Sequence, residues 1–146
     1  MATTTVFHGT ANTNIKKFLQ KRSRQTSYRM DKILFVTDTP ERAARYANAQ
    51  ATGMVKVDVF ELGVGAAIIE LETSEEIKWY RRSENHSSLD QCEATIETFE
   101  IVSITINPDP YWNSKTNRVE IPALIAEFGD KIKLVSPLPV APNKNN

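Results

Sequence analysis

The sequence predicts an α+β domain whose core is an antiparallel or mixed β-sheet with flanking helices. Three observations carry that expectation. Runs rich in β-branched residues alternate with helical patterns in the order β-α-β-α-β-β-α-β-α-β. Strands also follow one another without a crossover helix, which a doubly wound parallel sheet does not permit. The chain of 146 residues, 40% hydrophobic and 25% charged, has the size and balance of one globular core.

The elements follow in order. "TTTVFH", residues 3–8, is the first strand. "NTNIKKFLQKR", residues 12–22, reads as a helix capped by Asn12 or Thr13, with Ile15, Phe18 and Leu19 on its apolar side. "KILFVT", residues 32–37, is the second strand. The helix that follows in "DTPERAARYANAQATG" has capping-box spacing between Asp38 and Glu41, Pro40 in its first turn and Gly53 at its close. "MVKVDVFEL" and "AAIIELE" are strands joined through Gly63 and Gly65, and "SEEIKWYRRSENH" reads as a short helix running into a polar loop. The long run "EATIETFEIVSITINP" is β-rich, "EIPALIAEFGD" is a late helix and "KIKLVSP" a last strand. The domain is expected to span residues 1–138, with "PLPVAPNKNN" supplying a disordered tail over 139–146.

Composition excludes several classes. No apolar run reaches the ~18–20 residues of a membrane span, and the N-terminus lacks a charged-then-apolar signal pattern. The expected location is therefore the cytoplasm, either of the producing cell or of one into which the protein is delivered. Cys92 has no cysteine partner, and His8 and His86 are the only histidines, so no disulfide framework, Cys/His zinc cluster or other metal site is expected. Net charge is zero but uneven: residues 1–56 hold ten Lys/Arg against three Asp/Glu, and residues 57–146 hold eight against fifteen. The basic run "KKFLQKRSRQTSYRMDK" is either a solvated helix face with a polar loop or an anion-binding segment. Overall neutrality argues against broad nucleic-acid binding.

Three features carry chemistry. In "FHGT", Gly9 after His8 has no side chain, so a flat ligand could lie against its backbone N–H and C=O. In "ILFVTDTPERAARYA", Tyr46 lies eleven residues after Phe35, and Ala43, Ala44 and Ala47 allow close helix packing. Core aromatics are the plain alternative for Phe35 and Tyr46. In "TFEIVSIT", strand alternation puts Glu100 on one face with Val102, Ile104 and Ile106, committing a carboxylate to the apolar side. Glu97 falls on the other face unless a bulge exchanges the two.

In that order and spacing the chain resembles the ADP-ribosyltransferase superfamily, in the branch of the poly(ADP-ribose) polymerases and the small rifampin ADP-ribosyltransferases. His8, Gly9 and Thr10 match its His-Gly-Ser/Thr strand end. Phe35 stands where tyrosine is common, Tyr46 matches the helix tyrosine, and Glu100 matches the strand carboxylate. Ala43 replaces a serine that in related enzymes binds the nicotinamide amide. The resemblance covers residues 5–106 and implies a split mixed or antiparallel sheet with NAD as substrate.

The resemblance further implies residue roles. Glu100 would stabilise the oxocarbenium-like state formed as nicotinamide leaves the ribose, His8 would hold a ribose hydroxyl, and Gly9 would bind the carboxamide. Phe35 and Tyr46 would sandwich the nicotinamide ring, while Arg22, Arg24 and Arg29, with Lys21, would cover the diphosphate. The implied activity is mono-ADP-ribosyl transfer to a macromolecule, a protein in preference to a nucleic acid, as in a toxin, effector or phage-type modifier. Trp79, Tyr80, Arg81 and Arg82 are candidates for meeting the acceptor, and the proline-flanked loop with Tyr111 and Trp112 is either a partner surface or a folded-over loop. An NAD glycohydrolase, an RNA 2′-phosphotransferase on the same fold and a non-catalytic NAD or ADP-ribose binding module are the competing readings.

Overall fold

The structure, a computed structural model, describes residues 2–23, 34–53, 61–80 and 93–141, with residues 20–23 described by backbone alone. Among them are six strands: β1 (Thr4–Ala11), β2 (Leu34–Thr37), β3 (Ala66–Thr73), β4 (Glu93–Ile96), β5 (Glu100–Ile106) and β6 (Ile132–Leu134). They form one sheet in the order β4-β2-β1-β3-β5-β6. Every neighbouring pair is antiparallel except β5 and β6. Three α-helices accompany it, α1 (Ile15–Ser23), α2 (Pro40–Thr52) and α3 (Ile121–Phe128), so the class is α+β with a mixed sheet. None of the described helices is long and apolar enough to cross a membrane.

Directly opposed residues share a sheet face, and the register therefore sorts the side chains. Val6, Ile69, Leu71, Val36, Ile96, Ile101, Ile104 and Ile106 make one face and are buried with Ile15 of α1 and Ile121 and Leu124 of α3. The other face receives α2, whose Ala43, Ala44 and Ala47 are buried. The approach there is very close: a Cβ on Gly9 would lie 1.9 Å from the Ala43 carbonyl oxygen and 2.9 Å from the Ala47 nitrogen. The missing side chain of Gly9 thus admits the helix, whereas the sequence suggested that it admits a ligand.

The helix starts differ from expectation. Thr39, and not Asp38, caps α2, its hydroxyl accepting the Arg42 N–H at 3.2 Å, while Asp38 pairs with the Arg42 guanidinium. Pro40 opens the helix and Gly53 ends it at φ 75° as expected. A short 3-10 turn over Asn12–Asn14 precedes α1, and Asn12 is buried with its amide donating to the Asn107 carbonyl at 3.3 Å, so it does not cap.

Two further expectations are corrected. Residues 74–80 are not helical: Ile77 and Trp79 pack on the core with Lys78 exposed between them, a period of two, and Tyr80 bridges Glu93. The run 93–108 is two strands at distant places in the sheet, separated by a bend at 97–99. That bend is pinned by Glu75, whose Oε2 accepts the Glu97 N–H at 2.8 Å and the Thr98 hydroxyl at 2.9 Å, besides the Thr98 N–H. Leu138 still packs on the core, while 139–141 have no regular structure. The expected strand over residues 54–62 and the end of the tail fall mostly or wholly outside the described residues.

Two outcomes follow. Gly9→Ala must displace backbone rather than a flexible side chain, and should cost about 3 kcal/mol or more in denaturant unfolding, at the upper end for overpacking. Partial burial opposes ionisation of Glu75, but the Thr98 and Glu97 amides and the Thr98 and Thr73 hydroxyls outweigh it and hold its carboxyl below the ordinary 4.5. Its stabilisation is therefore full above that value and lost as pH falls through the lower folded-state one. Glu75→Gln should reduce the melting temperature at pH 7 and lose less of it on acidification to pH ~3 than the parent.

Candidate functional site

The ladder between β1 and β2 consists of one register pair, Phe7 with Thr37. The ladder does not extend to Gly9 and Phe35, next in register; Phe35 pairs with Thr95 of β4 instead. The edge of β1 that β2 leaves uncovered has a defined polarity. Asn12 N–H bonds the Gly65 carbonyl at 2.9 Å in the register that continues through Thr10–Ala67 and His8–Ile69, so those residues direct N–H and C=O at β3. Alternation then turns the N–H and C=O of Gly9 and Ala11 toward the β2 side. Ala11 agrees, its N–H meeting Gln50 Oε1 of α2 at 3.4 Å.

His8 spans the opening. Its Nδ1 lies 2.8 Å from the Phe35 carbonyl oxygen. A carbonyl only accepts, so Nδ1 carries the proton and Nε2 is left as an acceptor. The ring stacks on Phe18 of α1, with centroids 5.4 Å apart, and Phe18 continues onto Phe99 at 5.7 Å. Burial lowers the His8 pKa from 6.5, more than the Phe35 carbonyl raises it, and the imidazole is neutral at pH 7.

On the α2 side stand the two aromatic candidates. Phe35 is 52% exposed on β2. Tyr46 is half-buried on α2, next before the buried Ala47. Across β2 from them is a buried carboxylate that sequence reasoning missed. Glu93 on β4 opposes Thr37, is buried and faces Arg42 and Arg45 of α2. Burial pushes its carboxyl above the ordinary range, the two arginines act against this, and Asp38 adds to it. The signal was present in "EATIE": Ala94 and Ile96 alternate as buried residues, which turns Glu93 to the other face.

The carboxylate chosen from sequence lies elsewhere. Val102 is an extra residue in β5, between the pairs Leu71–Ile101 and Glu70–Ser103. The bulge puts Ile101, and not Glu100, in phase with Ile104 and Ile106. Glu100 is exposed, opposite Glu72, on the α2 face like Glu93 but three strand spacings from β2, about 14 Å. Glu97 is exposed in the bend with its amide on Glu75, in neither strand.

The remaining candidates divide as follows. Thr10 is buried with its hydroxyl donating to Gln50 Oε1 at 3.0 Å. Arg22 lies in the last turn of α1, its side chain outside the described set, and Arg24, Arg29, Arg81, Arg82, His86 and Cys92 fall outside the described residues. Trp79 packs on the core, so it is not a free acceptor surface. Among the described residues no three His, Cys, Asp or Glu side chains converge as metal ligands. No protein-family model, curated protein or solved structure matches the chain.

Neutral His8 contributes stability that is full above pH 6.5 and lost as pH falls through its lower folded-state value. The parent protein should therefore lose melting temperature between pH 6.5 and 5, and His8→Phe should be flatter over that window.

Proposed function

We propose that the chain is an NAD-dependent mono-ADP-ribosyltransferase that passes ADP-ribose to a macromolecular acceptor, a protein in preference to a nucleic acid, and releases nicotinamide. The observation that supports this reading is the β1 edge at Gly9, outside the β2 ladder among the described residues, with the His8 imidazole on one face of the sheet and Phe35 on the other. A carboxamide has one N–H donor side and one C=O acceptor, and an unpaired strand segment offers the complementary pair. Phe35 and Tyr46 would enclose the nicotinamide ring from the α2 side, and His8 Nε2 would accept from a ribose hydroxyl. The basic segment with Arg22, Arg24 and Arg29 would cover the diphosphate.

In this reading the carboxylate is Glu93, one strand from Phe35, in place of Glu100. The bond from ribose C1′ to the pyridinium nitrogen breaks with its electron pair going to nitrogen, so nicotinamide leaves neutral and C1′ becomes cationic. Ionised Glu93 stabilises that charge, the acceptor nucleophile bonds to C1′, and its proton passes to the carboxylate or to water.

Nicotinamide release from labelled NAD, with label entering a macromolecule, is the expected result. Binding of NAD without release would leave only a binding module. Glu93→Gln should cut release by about 10²–10³ while Glu100→Gln retains it. Because the Glu93 pKa is raised, its ionised form destabilises the fold once pH exceeds the ordinary 4.5. The Glu93→Gln melting temperature should thus equal or exceed the parent's at pH 7 and converge with it in acid. Full activity in that variant would overturn the assignment.

A further inference from the structure

The segment "NPDPYWNSK" between β5 and α3 presents Tyr111 and Trp112 to solvent, 69% and 40% exposed. Yet its backbone is tightly braced. The Asp109 carboxylate accepts the Tyr111 N–H at 2.9 Å. Asn117, only 3% exposed, directs Nδ2 at the Tyr111 carbonyl, the Asp109 carbonyl and the Asp109 carboxylate, at 2.8, 3.0 and 3.1 Å. Ser114 closes the turn, its N–H on the Tyr111 carbonyl and its hydroxyl accepting the Asn117 N–H, both at 3.1 Å.

That bracing is held at a cost the core does not require. Asn117 Oδ1 is buried without a hydrogen-bond partner among the described residues, a group that native proteins rarely leave unsatisfied. The chain then runs through a π-helical turn, Thr116–Glu120, a rare geometry that recurs at functional sites. Both features fix the path of a loop whose two rings enter no core. A rigid backbone with outward aromatic side chains lowers the ordering entropy of association.

The charges select the partner. Asp109 is engaged internally, whereas Lys115 and Arg118, three apart along the helical turn, are exposed, as is Val119 at 53%. Tyr, Trp and Arg dominate the energetics of protein interfaces. Two exposed cations match the sparse carboxylates of a short peptide, whereas a nucleic-acid backbone carries a phosphate at every nucleotide. The geometry points to a docking surface, formed by Tyr111, Trp112, Lys115, Arg118 and Val119, for an acidic, aromatic-bearing segment of a partner protein. It stands independently of NAD chemistry.

The test uses Trp79→Phe, which leaves Trp112 as the sole tryptophan reporter. Titration with a random copolymer of glutamate and tyrosine should change Trp112 emission saturably at low salt, with the response weakened at ~0.5 M salt. Tyr111→Ala and Arg118→Glu, both exposed and outside the core, should each raise the half-saturation point about fivefold or more at unchanged melting temperature. A lysine–tyrosine copolymer should give no response. If Trp79→Phe does not fold, polarisation of the labelled acidic copolymer reads the same binding to the unmodified chain. No saturable binding of the acidic copolymer, or binding unaffected by both substitutions, overturns the proposal. Tighter binding of single-stranded oligothymidylate also overturns it and identifies a nucleic-acid surface.

Discussion

The contact between the Gly9 backbone and α2 is the constraint on which the rest of the structure depends. With no Cβ in the way, the Ala43–Ala47 turn rests directly on β1, and helix and strand run as one unit. That placement aims the next side chains of the helix. Arg42 and Arg45 bring their charge to bear on the Glu93 carboxyl of β4, Asn48 donates its amide to the Glu61 carbonyl at 2.8 Å and accepts the Gly63 N–H at 2.7 Å, and Gln50 covers the end of β1. Any larger residue at position 9 would shift all of these together, because they are spaced along a single rigid helix.

Polar groups are distributed unevenly over the two faces that this contact separates. The face under α1 and α3 is apolar, with aromatic packing from Phe18, Trp79, Phe99 and Phe128, and admits His8, whose ring is neutral and whose one proton goes to a backbone carbonyl. The α2 face carries the carboxylates of β3 and β5, exposed at Glu72 and Glu100, and the buried one on β4. Only Glu93 among these is both desolvated and opposed by cations, and that combination makes a carboxylate responsive to charge arriving beside it.

The coarse class was legible because it rests on local signals. β-branched runs, Pro40 and Gly53 mark elements through backbone preferences that no tertiary contact overrides here. The position of the carboxylate was not legible, since it depended on one inserted residue. Val102 shifts the phase of β5 by one, and a phase shift of one exchanges the faces of everything before it. The long β-rich run also hid a change of neighbour. β4 and β5 are adjacent in sequence but lie on opposite flanks of the sheet, and Glu75, from the segment between β3 and β4, pins the bend where they separate. Residues 74–80 misled for a related reason. Their composition is helical, but Ile77 and Trp79 find apolar partners only in an extended chain.

The topology also governs how the chain reaches this state. β1 sits in the middle of the sheet, yet it ends at Ala11, while its neighbours begin only at Leu34 and Ala66. Strands at both its edges must therefore be recruited across long stretches of sequence, and closure entropy precedes any ladder. In chain order β2 can cover one edge of β1 first, and the other edge waits for β3. Non-local pairing of this kind raises the entropic barrier to folding, and a strand edge awaiting its partner is a site for association with other chains until it is covered.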